Sequence, residues 1–170
     1  MEVGTLRKNT GDEFTIDPKD TLQLLLQTHL GTDDTSNSGP HCLLDTIVHK
    51  NDYCRFRDFL TIDTLRSALS AFKPFKAPGP DGIHPIMLKK LPPLQLERLR
   101  QIYLESMKQG KIPQEWKKAL VTFIPKAGKK DYLDPKLYRP ISLTSFLLKA
   151  MEKCVLLFLK CTYLDYFKLH

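Results

Sequence analysis

Lys126 and Arg139 stand at the two ends of a turn-rich loop within FIPKAGKKDYLDPKLYRPISL, residues 123–143. An apolar, β-branched run enters the loop and a second extended run leaves it. If the two runs pair as a hairpin, side chains far apart in sequence come to lie side by side. A guanidinium on a stiff strand forks onto a pair of phosphate oxygens, whereas a lysine supplies a mobile point charge. Eight basic residues lie between Lys111 and Arg139 inclusive, opposed only by Glu115, Asp131 and Asp134. Lys129, Lys130 and Lys136 on the loop suit contact with a phosphate backbone that is held without reading its sequence. The chemistry indicated is the gripping of an anion on which Lys126 and Arg139 converge. The competing explanation is a set of lysines that keeps an exposed strand edge from pairing with another chain.

Other chemistries lack their residues. Gly128-Lys129-Lys130 has neither the upstream glycine nor the following Ser/Thr of a phosphate-binding loop, and Lys76–Ile83 (KAPGPDGI) lacks the Lys-Ser/Thr pair as well. No serine sits in a GxSxG turn, and no Cys/His pair has a supporting context. His41, Cys42, His49 and Cys54 number enough for a metal but match no zinc spacing. The adjacent acids Asp33 and Asp34 follow a helix in a polar loop, with no strand leading in, and are expected to be a solvated turn.

Charge is unevenly spread. Residues 1–72 hold 7 Lys/Arg and 11 Asp/Glu, while residues 73–170 hold 19 and 8, so the C-terminal part is the one suited to a polyanion. The hydrophobic content of 42% is that of a soluble globular protein with one core. Four cysteines without CxxC spacing point to free thiols in a reducing compartment. The first residues carry no signal-peptide core, and the longest apolar run, CVLLFL at 154–159, is far short of a membrane span. An intracellular protein, nuclear or cytoplasmic, is expected, with no membrane partner.

The elements follow from caps and periodicity. Residues 1–14 are polar and expected as a loose arm. Asp17-Pro18 opens a helix whose Leu22, Leu25, Leu26 and Leu30 form a buried face, stopped by Gly31. Thr61 or Asp63 caps a helix to about Phe72. The loop FKPFKAPGPDGIHP follows, then a short helix holding Ile86, Met87 and Leu88. Pro93 opens a longer helix to Gln109, with Leu96, Leu99, Ile102, Tyr103 and Met107 apolar and Gly110 as its stop. Strands are expected at 119–124 and 137–143, with Pro140 at an edge or bulge. A last helix runs from Thr144 or Ser145 to about Lys160. The fold class is α+β, mostly helical with one β-hairpin.

FKPFKAPGPDGIHPIML, followed by IPQEWKKALVTFIPKAGKKDYLDPKLYRPISLTSFLLKAMEK, closely resembles the N-terminal part of the reverse transcriptase of non-LTR, jockey-type retrotransposons. The resemblance is strong over about residues 60–160. It implies the fingers subdomain of a right-hand polymerase, with a helical segment at 15–60 upstream and the fingers region at 61–170. It also implies that Lys126 and Arg139 contact the triphosphate of the incoming nucleotide. Pro140 and Ile141 would lie by the templating base, and Pro78, Gly79, Asp81 and Gly82 near the template entrance. The implied partners are an RNA or DNA template-primer and a deoxynucleoside triphosphate.

The carboxylates that hold Mg2+ in this family lie in the palm, in motifs that follow the fingers. The sequence ends at His170 without them, so no catalytic residue, metal ligand or cofactor is assigned to it, and the chain alone is expected to be inactive. Three readings stand: a polymerase fragment, a nucleic-acid-binding module without chemistry, or an interaction piece docking through its apolar C-terminal helix. The last follows from CVLLFL and TYLDYF, which have no evident partner in the sequence and are expected to leave an exposed apolar patch that the missing palm or a full-length polymerase would cover.

Overall fold

The computed structural model describes residues 5–8, 13–31, 50–129 and 132–164. The chain divides into two compact units: residues 1–37 with 121–142, and residues 38–120 with 143–170.

In the first unit, α1 (Pro18–Leu30) begins where expected. The Asp20 N–H donates to Asp17 Oδ1 at 2.8 Å, and Pro18 takes a position whose missing N–H costs nothing. Its buried stripe differs from the expected one. Thr21 and Leu25 are buried, while Leu22, Leu26 and Leu30 are exposed. The reason lies in the partner. The helix meets a small cluster of Leu6, Leu25 and Tyr138, flanked by Leu24, Phe123 and Tyr132, which covers only one narrow stripe. The segment expected as a loose arm supplies part of that cluster. Leu6 is 0% exposed, Arg7 and Phe14 form an antiparallel bridge, and the Leu6 N–H donates to Thr15 Oγ1 at 2.8 Å. Thr21 Oγ1 in turn donates to Thr15 Oγ1 at 2.8 Å, so both buried threonines are satisfied.

Two strands, β1 (Ala119–Pro125) and β2 (Tyr138–Thr144), pair as the expected hairpin. Pro140 therefore stands in a two-stranded sheet, where every strand is an edge.

The second unit is helical: α2 (Lys50–Phe59), α3 (Ile62–Ser70), α4 (Pro85–Lys89), α5 (Pro93–Gln109) and α6 (Phe146–Leu159). Thr61 caps α3, its Oγ1 accepting from the Thr64 N–H at 3.1 Å. Gly110 closes α5 in the left-handed region at φ 63°, which glycine alone adopts without cost. Ser145 caps α6 through its hydroxyl and the Leu147 N–H. Leu96, Leu99 and Tyr103 of α5 are buried as the periodicity predicts, but Ile102 is exposed.

The C-terminal helix corrects an expectation. It is not an unpartnered face, because α6 is the middle of the core. Phe146, Ala150, Met151, Cys154 and Phe158 are buried. Phe158 meets Phe56 edge-on at 5.4 Å and Phe59 at 5.5 Å between ring centres. The Tyr103 hydroxyl donates to the Leu147 carbonyl at 2.7 Å, and its ring stands edge-on to Trp116 at 5.8 Å. Only Leu156 and Leu159 of the helix remain as exposed large apolar side chains. Residues 165–170, which hold the second half of TYLDYF, lie outside the described residues, as do Asp33, Asp34, His41, Cys42 and His49. No helix among the described residues is long and apolar enough to cross a membrane.

The loop before α4 is fitted to the start of α6. A Cβ built on Gly79 would lie 2.7 Å from the Ser145 nitrogen and 2.7 Å from the Thr144 carbonyl carbon, both backbone atoms. Gly82, at φ 68°, has open space around it and needs glycine only for its backbone conformation.

Three predictions follow from this packing. Phe158→Ala should cost about 3–5 kcal/mol, read from the urea midpoint; a loss below about 1 kcal/mol would mean that α6 does not hold the core. Gly79→Ala should cost about 1–3 kcal/mol, because the backbone it meets cannot yield. Gly82→Asn should cost less than about 0.5 kcal/mol, since asparagine visits the left-handed region; equal losses at the two positions would refute the distinction. The third concerns alkali. Burial pushes the Cys154 thiol up to about 12 from 9.0. Burial first, and Cys154 second, also raise Tyr103. The unfolded chain therefore loses these protons before the folded one does. Stability is complete below the unfolded thiol value of 9.0 and declines as pH climbs toward about 12. Thermal melts of Cys154→Ala should show a lower midpoint at neutral pH but a shallower alkaline decline. An equally steep decline would remove Cys154 as its source.

Candidate nucleotide and nucleic-acid interface

The loop between β1 and β2 is fixed at its neck by hydrogen bonds to backbone carbonyls. The Lys126 N–H donates to the Leu137 carbonyl at 2.8 Å, closing the ladder. The Tyr132 hydroxyl donates to the Lys126 carbonyl at 3.0 Å, and the Tyr138 hydroxyl to the Tyr132 carbonyl at 3.2 Å. Asp134 turns the returning limb: its Oδ1 accepts from the Lys136 N–H at 2.9 Å, at the start of a short 3-10 turn over Pro135–Leu137. Burial raises the Tyr138 phenol above its ordinary value, with Tyr132 as the second cause, so the Tyr138 ring remains a neutral donor at physiological pH.

Two distant segments brace this neck. The Arg7 N–H donates to the Leu133 carbonyl at 2.7 Å. His29 Nε2 lies 2.9 Å from the Pro135 carbonyl, which can only accept, so Nε2 carries the proton. The His29 ring also stands 5.8 Å from that of Phe123. These braces were not legible in the sequence. His29 carries no motif, and Leu6 and Thr15 lie in a polar stretch. The signal that could have found them is the strand alternation that places Tyr138 and Phe123 on one face.

Strand alternation sorts the rest. Val121, Phe123 and Pro125 are half-buried on one face of β1, whereas Leu120, Thr122 and Ile124 are exposed. Counting back from the Lys126–Leu137 bond, Ile124 lies opposite Arg139, and Thr122 opposite Ile141. Arg139 and Ile141 are likewise exposed, and Pro140 is half-buried with the inner face. Arg139 makes no hydrogen bond or ion pair among the described residues, and its side chain is exposed on the strand, so among those residues none of its five donors is committed.

Lys126 is placed differently. It is half-buried, and its Nζ donates to the Lys136 carbonyl at 2.6 Å across the loop neck. In this arrangement it ties the loop and does not point into open solvent. Lys129 and Lys136 are exposed, and Lys130 lies outside the described residues. The other candidate loop is sorted as clearly. Pro78 is half-buried, Gly79 is buried against the start of α6, and Asp81 and Gly82 are exposed. The Asp81 carboxylate accepts from the Ile83 N–H at 3.1 Å, a local turn bond.

A groove of about 360 Å³ in the second unit is lined by Tyr53, Arg57, Asp58, Arg100 and Glu105 among others. Its guanidinium groups are already committed. Arg57 pairs with Asp58 at 3.0 Å, and Arg100 pairs with Glu97 at 2.7 Å, whose carboxyl it holds down at about 2. The groove therefore offers an anion less than Arg139 does. Among the described residues, no three His, Cys, Asp or Glu side chains are grouped so as to hold a metal ion.

No family model matches the chain. Among curated proteins it is similar to a probable RNA-directed DNA polymerase from transposon BS of Drosophila melanogaster, 32% identical over 96 residues, which is 56% of this chain and 10% of that protein. The RNA-directed DNA polymerase from mobile element jockey of Drosophila melanogaster matches at 32% over 97 residues, 57% of this chain and 10% of the relative. That of Drosophila funebris matches at 33% over 99 residues, 58% of this chain and 11% of the relative. The match thus spans about a tenth of the length of these relatives. Three matches of one kind, each over more than half of the chain, show that this segment is similar to the RNA-directed DNA polymerases of jockey-type mobile elements, the family its motifs resemble.

Proposed function

We propose that this chain is the part of a reverse transcriptase that holds the incoming nucleotide and the template, the role of a fingers subdomain. The observation that carries the reading is Arg139: an exposed guanidinium, unpaired among the described residues, on a strand whose neck is braced from two directions. Phosphoryl transfer depends on positioning and on neutralising charge at the phosphates, and a fixed cation contributes to both before the reaction begins. Arg139 forks onto the triphosphate. Lys126 exchanges the Lys136 carbonyl for a phosphate oxygen, a swap that loosens the loop neck as the nucleotide arrives. Lys129 and Lys136, exposed on the same hairpin, hold the template backbone by charge, and Ile141 on the outer face contacts the templating base. The two-metal chemistry of such a polymerase belongs to carboxylates that the described residues do not gather, so no step through Mg2+ is assigned to this chain.

The apolar face of α6 is filled by its own unit, which weighs against the reading of a piece that docks through that helix. The test is binding of a labelled primer–template across a salt series, with and without deoxynucleoside triphosphate. Arg139→Ala and Lys126→Ala should each weaken the nucleotide-dependent part by about 1.5–3 kcal/mol, the cost of a lost charged hydrogen bond. Lys129→Gln with Lys136→Gln should flatten the salt dependence by about one phosphate contact per lysine. If nucleotide addition changes nothing in the unsubstituted chain, or the Arg139 variant binds as tightly as its parent, the proposal fails.

A further inference from the structure

Phe75 is the most exposed large apolar side chain described in the second unit, with 83% of its surface open. A single exposed apolar side chain is ordinary; one fixed in place is not. On one side of Phe75, the Ile86 N–H donates to the Pro74 carbonyl at 3.1 Å. On the other, His84 Nδ1 donates to the Lys76 carbonyl at 3.1 Å. A few residues on, Gly79 is wedged against the backbone of Thr144 and Ser145. Phe72 and Ile83, which flank this stretch, already pack on the core. The ring is thus presented outward by a loop that is tied down on both sides.

Its surroundings are cationic. Lys73, Lys76, Lys89 and Lys90 are all exposed, with Lys89 Nζ anchored on the Ser70 carbonyl at 2.9 Å. Asp81 is the single acid between residues 73 and 90, and its carboxylate is engaged by the Ile83 N–H. The cores of protein–protein interfaces are depleted in lysine, so this setting fits a protein partner poorly. A rigid aromatic face among lysines fits an unpaired base with phosphates on either side of it, the arrangement by which single strands are held without regard to sequence. A duplex hides its base faces and does not fit.

We propose that Phe75 is a stacking platform for one base of a single-stranded nucleic acid, with Lys73 and Lys76 on the adjoining phosphates. The inference rests on the reading of the chain as a nucleic-acid-holding part but uses an element separate from the hairpin. The probes are a fluorescein-labelled single-stranded oligouridylate and a blunt duplex, each titrated with the whole chain. Phe75→Ala should weaken single-strand binding roughly 5- to 150-fold with the salt slope unchanged, and Phe75→Trp should restore it. Lys73→Gln with Lys76→Gln should instead flatten the salt slope. Duplex binding should be indifferent to Phe75.

Single-strand affinity unchanged in Phe75→Ala overturns the proposal. So does an equal loss for strand and duplex accompanied by a lower melting temperature, which would make the ring structural. Conversion of a self-associated chain to monomer by the same substitution, seen in sedimentation, would make Phe75 a protein contact and overturn it as well. The hairpin variants separate the two ideas. If Arg139→Ala leaves nucleotide dependence intact while Phe75→Ala loses the single strand, the hairpin reading fails and this one stands; the reverse pattern rejects this one alone.

Discussion

A two-stranded hairpin is marginal in water by itself, because each strand leaves one edge unpaired and neither face is covered. The first unit is organised around that constraint. Tyr138, Phe123 and Pro125 give the hairpin one inward face, and α1 with Leu6 covers it. The bonds that fix the neck go mainly to backbone carbonyls, from His29, Tyr132, Tyr138 and the Arg7 N–H. A loop limb exposes carbonyls that would otherwise need water, so each such bond both satisfies an acceptor and removes freedom from the loop. Arg139 benefits without taking part. Its backbone is ordered by others, and its side chain spends none of its donors on the described residues.

The second unit meets a different problem. α6 is apolar on more than one side, and a helix of that kind is stable only inside a core. Phe56, Phe59, Leu65, Tyr103 and Trp116 close around it, and a polar group carried deep into that core, the Tyr103 hydroxyl, ends on the Leu147 carbonyl. A buried phenol without an acceptor would offset much of what its ring gains by burial. Gly79 belongs to the same economy of space, since the loop reaches the start of α6 only because a side chain is missing there.

Much of this architecture was legible from local chemistry. Thr61, Pro93, Gly110 and Ser145 mark helix ends through short-range bonds and backbone preferences that sequence carries directly. The hairpin followed from β-branched runs on either side of a turn-rich loop. Burial was less legible. Leu22, Leu26 and Leu30 have the spacing of a core face and remain exposed, because which stripe is covered depends on the width of the partner. Leu6 and Thr15 were hidden for the complementary reason: one apolar residue in a polar stretch has no periodicity, yet a single close contact suffices to bury it. The candidate site divides along the same line. The identity of Arg139 as a stiffly mounted cation was readable from its neighbours in the strand, whereas the engagement of Lys126 with the Lys136 carbonyl depends on how the loop closes.

That difference between the two cations bears on how a triphosphate would be held. A lysine free in solvent loses most of its rotamer freedom when it binds a phosphate, a cost of up to about 2 kcal/mol. Lys126 has already lost that freedom to the carbonyl, so exchanging one acceptor for another carries little further entropy. The exchange also favours an anion, since a charged acceptor forms the stronger bond with an ammonium. Arg139 reaches the same end by another route, with its backbone ordered in the strand and its guanidinium unspent. The hairpin thus presents one cation that is uncommitted among the described residues and one that is parked, and under the proposed function the parked one would couple nucleotide binding to the loosening of the loop neck that it ties.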